Sequence, residues 1–146
     1  MSTISKDYSG ALRTGINTVL SSKITIGAVT YKFFKDIESV GPNKTYVTLG
    51  PIIDTEAGSK EQFIYQGSIS VETVDMSQTM NPKRTLSETV NNKVRGLLKA
   101  TKGATFTVTG FTLIYFRHGG STRLEEKLKD GRTSFRIIDI YEFLIQ

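Results

Sequence analysis

The residues best suited to chemistry lie in the last third of the chain. His118 is the only histidine and is followed by Gly119 and Gly120, a combination that can help to build an oxyanion hole. A hydrolase of that kind also needs a serine on a Gly-x-Ser-x-Gly turn, and the sequence contains no such turn. We therefore interpret His118 as a flexible loop residue without a catalytic role.

Acidic residues offer a second candidate for catalysis. Glu125 and Glu126 are adjacent, so on an extended strand their side chains would point to opposite faces and could not act as a pair. We interpret both as solvated loop acids. Asp139 lies among apolar residues of the final strand. It either forms a register-fixing ion pair with Arg117 or Arg136, or lies at an exposed end of the sheet.

Composition excludes several further classes of site. The chain has no cysteine and one histidine, which rules out disulfides and disfavours a structural zinc site. It also lacks a phosphate-binding glycine loop ending in Gly-Lys-Ser or Gly-Lys-Thr. We predict no catalytic, cofactor-binding or metal-binding residue, and hence a protein that is not an enzyme.

Hydropathy gives no sign of a membrane partner. No apolar segment approaches the roughly 20 residues of a membrane helix, and the N-terminus does not have the layout of a signal peptide. We expect a soluble protein that is used inside a cell or built into a particle there.

The hydrophobic periods predict the elements that position these residues. Helical spacing is followed by strand alternation, a second helical stretch and further alternation. We predict an N-terminal helix at about 8–22, a hairpin at about 45–74, a second helix at about 82–102 and a C-terminal hairpin at about 105–145. The 146 residues suit one domain, 1–146, of the α+β class. We expect an antiparallel sheet of about four to five strands with two helices packed on one face.

The last hairpin carries two irregularities and a strand with two apolar faces. A slip in the alternation at Gly110 predicts a β-bulge, and 117–131 is predicted to be a long charged connection. A half-buried antiparallel strand should not be apolar on both sides. The final strand is therefore either central and covered twice, or its second face contacts another subunit. The residues predicted for such a subunit contact are Arg136, Ile138, Ile140 and Leu144.

All of the formal charge of +5 belongs to one segment. Residues 83–102 hold six basic residues and one acidic residue, and the rest of the chain is balanced. On a helical wheel four of the basic residues fall within about 60° of one another and form a basic stripe. These are Arg84, Arg95, Lys99 and Lys102. The stripe is a solvated face, a site for an acidic protein, or a DNA contact.

The succession of elements resembles the tail-completion or tail-terminator proteins of long-tailed bacteriophages over nearly the whole chain. Five features carry the resemblance. They are a short N-terminal helix, the Tyr46 to Gly50 strand running through Pro51 into a charged tip, the Ile69-Ser70-Val71 strand, the amphipathic helix from Pro82 to Lys102, and an Asp130-Gly131 turn before the last strand. The long 117–131 connection and the absence of aromatic residues from the second helix depart from the family pattern.

The resemblance implies a structural virion protein of the tail or neck, assembled in the host cytoplasm. Such proteins form homo-oligomeric rings, often hexamers, that cap the tail tube and join it to neck, connector or adaptor proteins, with genome DNA passing through the lumen. A closed ring needs two different complementary surfaces on each protomer. The residues expected to contact axial partners are Asp54, Glu56, Lys60, Glu61, Arg123, Glu125 and Lys127. The alternative is a small DNA-binding module that uses the basic stripe.

Overall fold

The computed structural model describes residues 7–34, 45–56, 64–77, 84–98, 106–127, 131 and 133–146. Two helices and seven strands lie within these residues. In chain order they are α1 (Ser9–Leu20), β1 (Thr25–Ile26), β2 (Val29–Thr30), β3 (Lys32–Phe34), β4 (Thr45–Glu56), β5 (Tyr65–Ser77), α2 (Arg84–Leu98), β6 (Leu113–Lys127) and β7 (Thr133–Ile145).

Five of the strands form one sheet in the order β3-β4-β5-β7-β6, and β1 pairs with β2 in a separate small hairpin. The predicted α+β fold with a sheet of four to five strands and two helices on one face is confirmed. One pairing differs from the prediction, since the three residues of β3 run parallel to β4. The other neighbours in the sheet are antiparallel.

Both helices bury one apolar stripe against the same face of the sheet. In α1 the buried stripe includes Leu12, Ile16 and Leu20, and in α2 it includes Val90 and Val94, all with no exposed surface. These spacings of four residues place the side chains on one side of each helix. The helix layer and the inward side chains of the sheet form one hydrophobic core.

Gly15 lets α1 approach the chain segment that precedes β6. A Cβ atom at this position would lie 2.6 Å from the carbonyl oxygen of Thr107 and 2.9 Å from the ring of Phe106. No side chain fits in that space, so glycine is required by packing although it weakens an isolated helix.

Pro51 lies at an irregularity of β4, as its sequence position indicated. The register with β5 shifts between Leu49 and Ile52, and β3 reaches along β4 only to Thr48. Pro51 has no N–H to donate, and within the described residues no strand pairs with β4 on the outer side of Pro51. Proline at this bulge therefore costs no ladder hydrogen bond there.

The prediction for the start of the last hairpin was wrong in two respects. Gly110 lies in a turn with φ of +85°, and β6 begins later, at Leu113. The bulges of β6 fall at Ile114 and Gly119. The segment predicted as a long connection is strand as far as Lys127, because its backbone pairs with β7 although the side chains from Ser121 to Lys127 are exposed on both sides.

Candidate interaction surface

The sheet has one face turned away from the helices, which we name the open face. On β7 the open face carries the even-numbered residues, because the odd-numbered Asp139 contacts Asn91 and Arg95 of α2. Directly paired residues share a face, so the register extends the open face across four strands. Ser68, Ser70 and Glu72 of β5 lie beside Glu142, Ile140 and Ile138 of β7.

The predicted subunit contact lies on the open face. Ile138, Ile140 and Leu144 are partly exposed, whereas the odd-numbered residues from 133 to 145 are buried. β7 is central in the sheet, with β5 on one side and β6 on the other. Within the described ranges no helix or strand covers its second face. The strand is therefore central, as the first alternative requires, while coverage of its second face and contact with another subunit both stay predictions.

Two ion pairs lie on the open face, one beside Ile138 and one between Ile140 and Leu144. Arg136 donates to Glu72 over 3.4 Å, and Arg117 donates from Nε to Glu142 over 2.8 Å. The Arg117 guanidinium also lies 4.6 Å from the centre of the Tyr115 ring. Opposite charges on this face are thus arranged in pairs, so the open face is close to neutral.

A shallow depression of about 300 Å³ lies at one end of the open face. Ile53, Tyr115 and Glu142 form parts of its rim and floor. Ile53 is 71 % exposed, an unusual value for a large apolar side chain within a strand. The depression gives this end of the face a concave shape that a protruding side chain could enter.

The opposite face of β7 carries a buried polar cluster around Asp139, which has no exposed surface. Arg95 donates to both carboxylate oxygens, from Nη2 over 2.9 Å and from Nε over 3.2 Å. His118 Nε2 lies 3.1 Å from Oδ1, and Asn91 donates to Oδ2. Ser121 adds a further hydrogen bond. This cluster connects α2, β6 and β7 at one point.

The hydrogen bonds keep the carboxylate ionised despite its burial. Burial alone raises the pKa of Asp139, but the hydrogen bonds from Arg95, Asn91, His118 and Ser121 lower it, and the net pKa is below the ordinary value of 3.8. The same contact raises the pKa of Arg95. Arg95 and Asp139 are therefore a charged pair supported by hydrogen bonds to Asn91, His118 and Ser121, and the cluster fixes the position of α2 on the sheet.

The bulge at Gly119 brings both β6 members of the cluster to one face. Ser121 lies directly opposite Asp139, and His118 lies opposite Tyr141. In a regular strand residues three apart would face opposite sides. Because Ser121 bonds the carboxylate, the three side chains do not form the serine–histidine–carboxylate relay that activates a nucleophile.

Several interpretations of these residues were wrong. His118 lies on a strand within hydrogen-bonding distance of a buried carboxylate, so it is not a flexible loop residue. Asp139 is not at an exposed end, and it pairs with neither Arg117 nor Arg136. Glu125 and Glu126 are exposed, as expected for solvated acids, but they belong to β6 and not to a loop.

The basic stripe is only partly within the described residues. Arg95 belongs to it, but its charge is matched by Asp139. Arg84 is described by its backbone alone, and Lys99 and Lys102 lie outside the described residues. The three interpretations of the stripe stay predictions, with one of its four cations now assigned to an ion pair.

The residues predicted for axial contacts separate to opposite ends of the sheet. Asp54 accepts a hydrogen bond from the Tyr8 hydroxyl, and β4 residues 54–56 pair with the start of β5. Arg123, Glu125 and Lys127 pair with the start of β7, which lies beside the end of β5. Glu56 is described by its backbone alone, and Lys60 and Glu61 lie outside the described residues.

The described residues form neither a metal site nor a membrane-spanning helix. In the part of the chain that the structure describes, no three His, Asp or Glu residues are grouped so that they could hold a metal ion. None of the described helices is long and apolar enough to cross a membrane.

Comparison with known proteins gives matches in fold but none in sequence. The sequence matches no protein-family model, and no curated protein matches it. The fold is similar to that of a virion protein chain. A chain in the virion of a native gene transfer agent particle superposes with a TM-score of 0.62 and is 16 % identical. The superposition covers 96 % of the present chain and 99 % of the virion chain, so the two share the whole fold and not a fragment of it.

Proposed function

We propose that this chain is a structural protein of a phage-like virion and that it forms a ring at the tail or neck. The observation that carries the proposal is the likeness in fold to a virion chain over 96 % of the present chain and 99 % of the other. A chain used as a building block needs surfaces that bind copies of itself or neighbouring proteins. The open face supplies one such surface.

The size of the open face suits a stable interface. Four strands about 4.8 Å apart are roughly 19 Å wide, and the 13 residues of β5 and β7 span roughly 44 Å. The product is about 800 Å², which is the area that one partner contributes to a standard protein–protein interface. The face combines apolar residues of β7 with paired charges, and both are common in such interfaces.

The finer form of the proposal is a homo-hexameric ring that caps the tail tube. In this ring the open face of one protomer contacts a different surface of the next, since only a head-to-tail contact closes into a ring. The two charged ends of the sheet then point along the ring axis, toward the tube protein on one side and the neck, connector or adaptor protein on the other. DNA would pass through the lumen, and the ring would assemble in the host cytoplasm.

Measurement of mass tests the ring. Native mass spectrometry of the purified protein at several concentrations should give a discrete multiple of 16.2 kDa. Ile140→Asp places a charge in the centre of the open face and should return the protein to the monomer. Asn92→Asp adds the same charge to an exposed position of α2 and should leave the ring intact.

Two further measurements keep the test decisive. Circular dichroism reports whether Ile140→Asp still folds, and Ile140→Thr provides a milder variant that keeps the β-branched shape. A monomer at all concentrations, or a ring that tolerates both substitutions, would refute the open face as a ring contact.

The alternative of a DNA-binding module is separated by salt. Affinity that depends on phosphate contacts falls steeply between 50 and 200 mM salt, while assembly driven by apolar burial persists. A protein that stays monomeric and binds duplex DNA with a steep salt dependence would favour the alternative.

A further inference from the structure

The outer edge of the sheet at β6 forms a second surface for contact. From Gly120 to Lys127 the strand pairs with β7 in unbroken register, and β6 is the last strand of the sheet. Within the described residues no strand pairs with its outer edge. The side chains from Ser121 to Lys127 are exposed. A long edge of this kind exposes a row of backbone N–H and C=O groups that can accept another strand.

The order of charges on this edge is self-complementary in one register. When two copies of this strand pair antiparallel, the centre of the pairing decides which residues lie opposite one another. Backbone groups of an edge strand point outward at alternate residues, so the pairing must be centred on a residue and not between two residues. Within Gly120 to Lys127 only a few residues can therefore be the centre of the pairing.

The centre on Leu124 is the favourable one. It places Arg123 opposite Glu125 twice, once in each direction, and places Leu124 opposite its own copy. Leu124 is 49 % exposed, so this pairing also buries apolar surface. Opposite charges across a strand pair stabilise it, and like charges directly opposite destabilise it.

Pairing centred on another residue of this run is less favourable. A centre on Arg123, Glu125 or Glu126 places that charged residue opposite its own copy. A centre on Thr122 forms no ion pair and extends the pairing to Gly119, where the bulge interrupts the strand. The charge pattern therefore selects one register among those that the backbone permits.

We propose that two copies of this chain associate through their β6 edges, antiparallel and centred on Leu124. The contact joins two five-stranded sheets into one ten-stranded sheet. Arg123 already donates its Nε to Glu88 over 3.0 Å, but a guanidinium has five N–H donors. Glu125 takes part in an interaction within its own chain, and a carboxylate accepts several hydrogen bonds.

This two-fold contact goes beyond the proposed ring. Neighbours in a head-to-tail ring are not related by a two-fold axis, so the β6 contact joins two separate rings or two free protomers. The edge pairing uses neither Ile138, Ile140 nor Leu144. The two contacts can therefore be broken independently.

Single cysteines test the register, because the natural chain contains none. Directly opposed residues in an antiparallel pair have Cα atoms about 4.5–5.5 Å apart, which is within the range for a disulfide. Under mild oxidation Leu124→Cys should give a covalent dimer of twice 16.2 kDa, measured on a non-reducing gel. Thr122→Cys alone should not, because its two copies lie roughly 14 Å apart at four residues of offset.

A mixture supplies the matched positive control. Thr122 lies opposite Glu126 in the proposed register, so an equal mixture of Thr122→Cys and Glu126→Cys should form the disulfide that neither forms alone. No covalent dimer from Leu124→Cys, or an equal yield from Thr122→Cys alone, would overturn the proposal.

Charge reversal tests the ion pairs without a covalent bond. Arg123→Glu and Glu125→Arg each convert both opposite-charge pairs into like-charge pairs, and each should weaken dimerisation by about tenfold in sedimentation equilibrium. The double variant restores both pairs with reversed sense and should regain the original affinity. A double variant as weak as either single variant would contradict the register.

The same experiments separate this proposal from the proposed ring. Leu124→Cys combined with Ile140→Asp should still give the covalent dimer if the edge contact exists, whether or not a ring forms. Loss of the disulfide in that combination, with the fold retained by circular dichroism, would show that the edge contact depends on the open face and would refute it as a separate contact.

Discussion

Replacing Asp139 with asparagine should lower stability more than the loss of any surface ion pair in the described part of this protein. The carboxylate is buried and its ion pair with Arg95 is 2.9 Å long. Breaking a buried pair costs about 3–5 kcal/mol. The Arg95 side chain is 34 % exposed, so water can partly replace the lost partner. We expect Asp139→Asn to lower the free energy of unfolding by about 3 kcal/mol.

A surface ion pair provides the matched control. Glu142→Gln removes the partner of Arg117, and these two side chains are 46 % and 51 % exposed. Such pairs contribute about 0–1 kcal/mol. For a domain of this size 1 kcal/mol changes Tm by roughly 3 °C. Thermal denaturation should therefore show a loss of about 9 °C for Asp139→Asn and at most about 3 °C for Glu142→Gln.

The pH dependence adds a second signature. The pKa of Asp139 is lower in the folded protein than its ordinary value of 3.8, so the folded state binds this proton less readily than the unfolded state. The stabilisation by the carboxylate is present above pH 3.8 and is lost as the pH falls through the lower folded-state pKa. The difference in unfolding free energy between wild type and Asp139→Asn, measured in urea, should be constant from pH 7 to pH 5 and should decrease below pH 3.8.

Two results would refute this reasoning. If Asp139→Asn destabilises no more than Glu142→Gln, then the buried position of the carboxylate does not set its contribution. If the wild type and Asp139→Asn differ by the same amount at pH 7 and pH 2.5, then the effect comes from altered packing and not from the charge.

Three other substitutions give predictions of different sign, each checked by urea denaturation. The Tyr141 hydroxyl is buried and has no hydrogen-bond partner among the described residues, so Tyr141→Phe should leave stability unchanged or raise it by about 1 kcal/mol. Gly15→Ala should destabilise by about 1–3 kcal/mol, because the new Cβ would lie 2.6 Å from a backbone oxygen. Gly96→Ala meets nothing within 4 Å and should stabilise by about 0.5–1 kcal/mol, so equal effects of the two alanines would contradict the packing at Gly15.

The helices and the first hairpin could be predicted from sequence because their signals are local. The apolar spacing of α2 arises from one helix packed on one side, and the alternation of β5 turns Ile69 and Val71 toward the helices. Pro51 also indicated the irregularity in β4, since proline is excluded from a regular ladder on backbone grounds alone.

The second half of β6 could not be predicted in the same way. Its residues from 121 to 127 are exposed on both sides, so no hydrophobic alternation distinguishes them from a charged loop. Pairing with β7 makes this segment a strand, and that pairing involves residues distant in the sequence. The bulges at Ile114 and Gly119, predicted instead at Gly110, could not be located for the same reason, because register depends on two paired strands.

The polar cluster was missed for a related reason, although one signal was present. Asp139 alternates with Ile137 and Tyr141, and an inward carboxylate must have a partner. The sequence offered Arg117 and Arg136 as neighbours along the chain or hairpin. The true partner, Arg95, is 44 residues away and comes from α2, so only the packing of helix on sheet identifies it.

The two neighbouring strands β5 and β7 show why the open face is best explained by assembly. Both present alternate residues to the same side, yet at two consecutive paired positions β5 carries Ser70 and Glu72 while β7 carries Ile140 and Ile138. Strand propensity does not account for this contrast, since both strands are central. An apolar row bordered by polar residues is the usual composition of an interaction patch. The arginines beside the row are paired with glutamates of their own chain, so a neighbouring subunit could cover the row without leaving an unpaired charge in the contact.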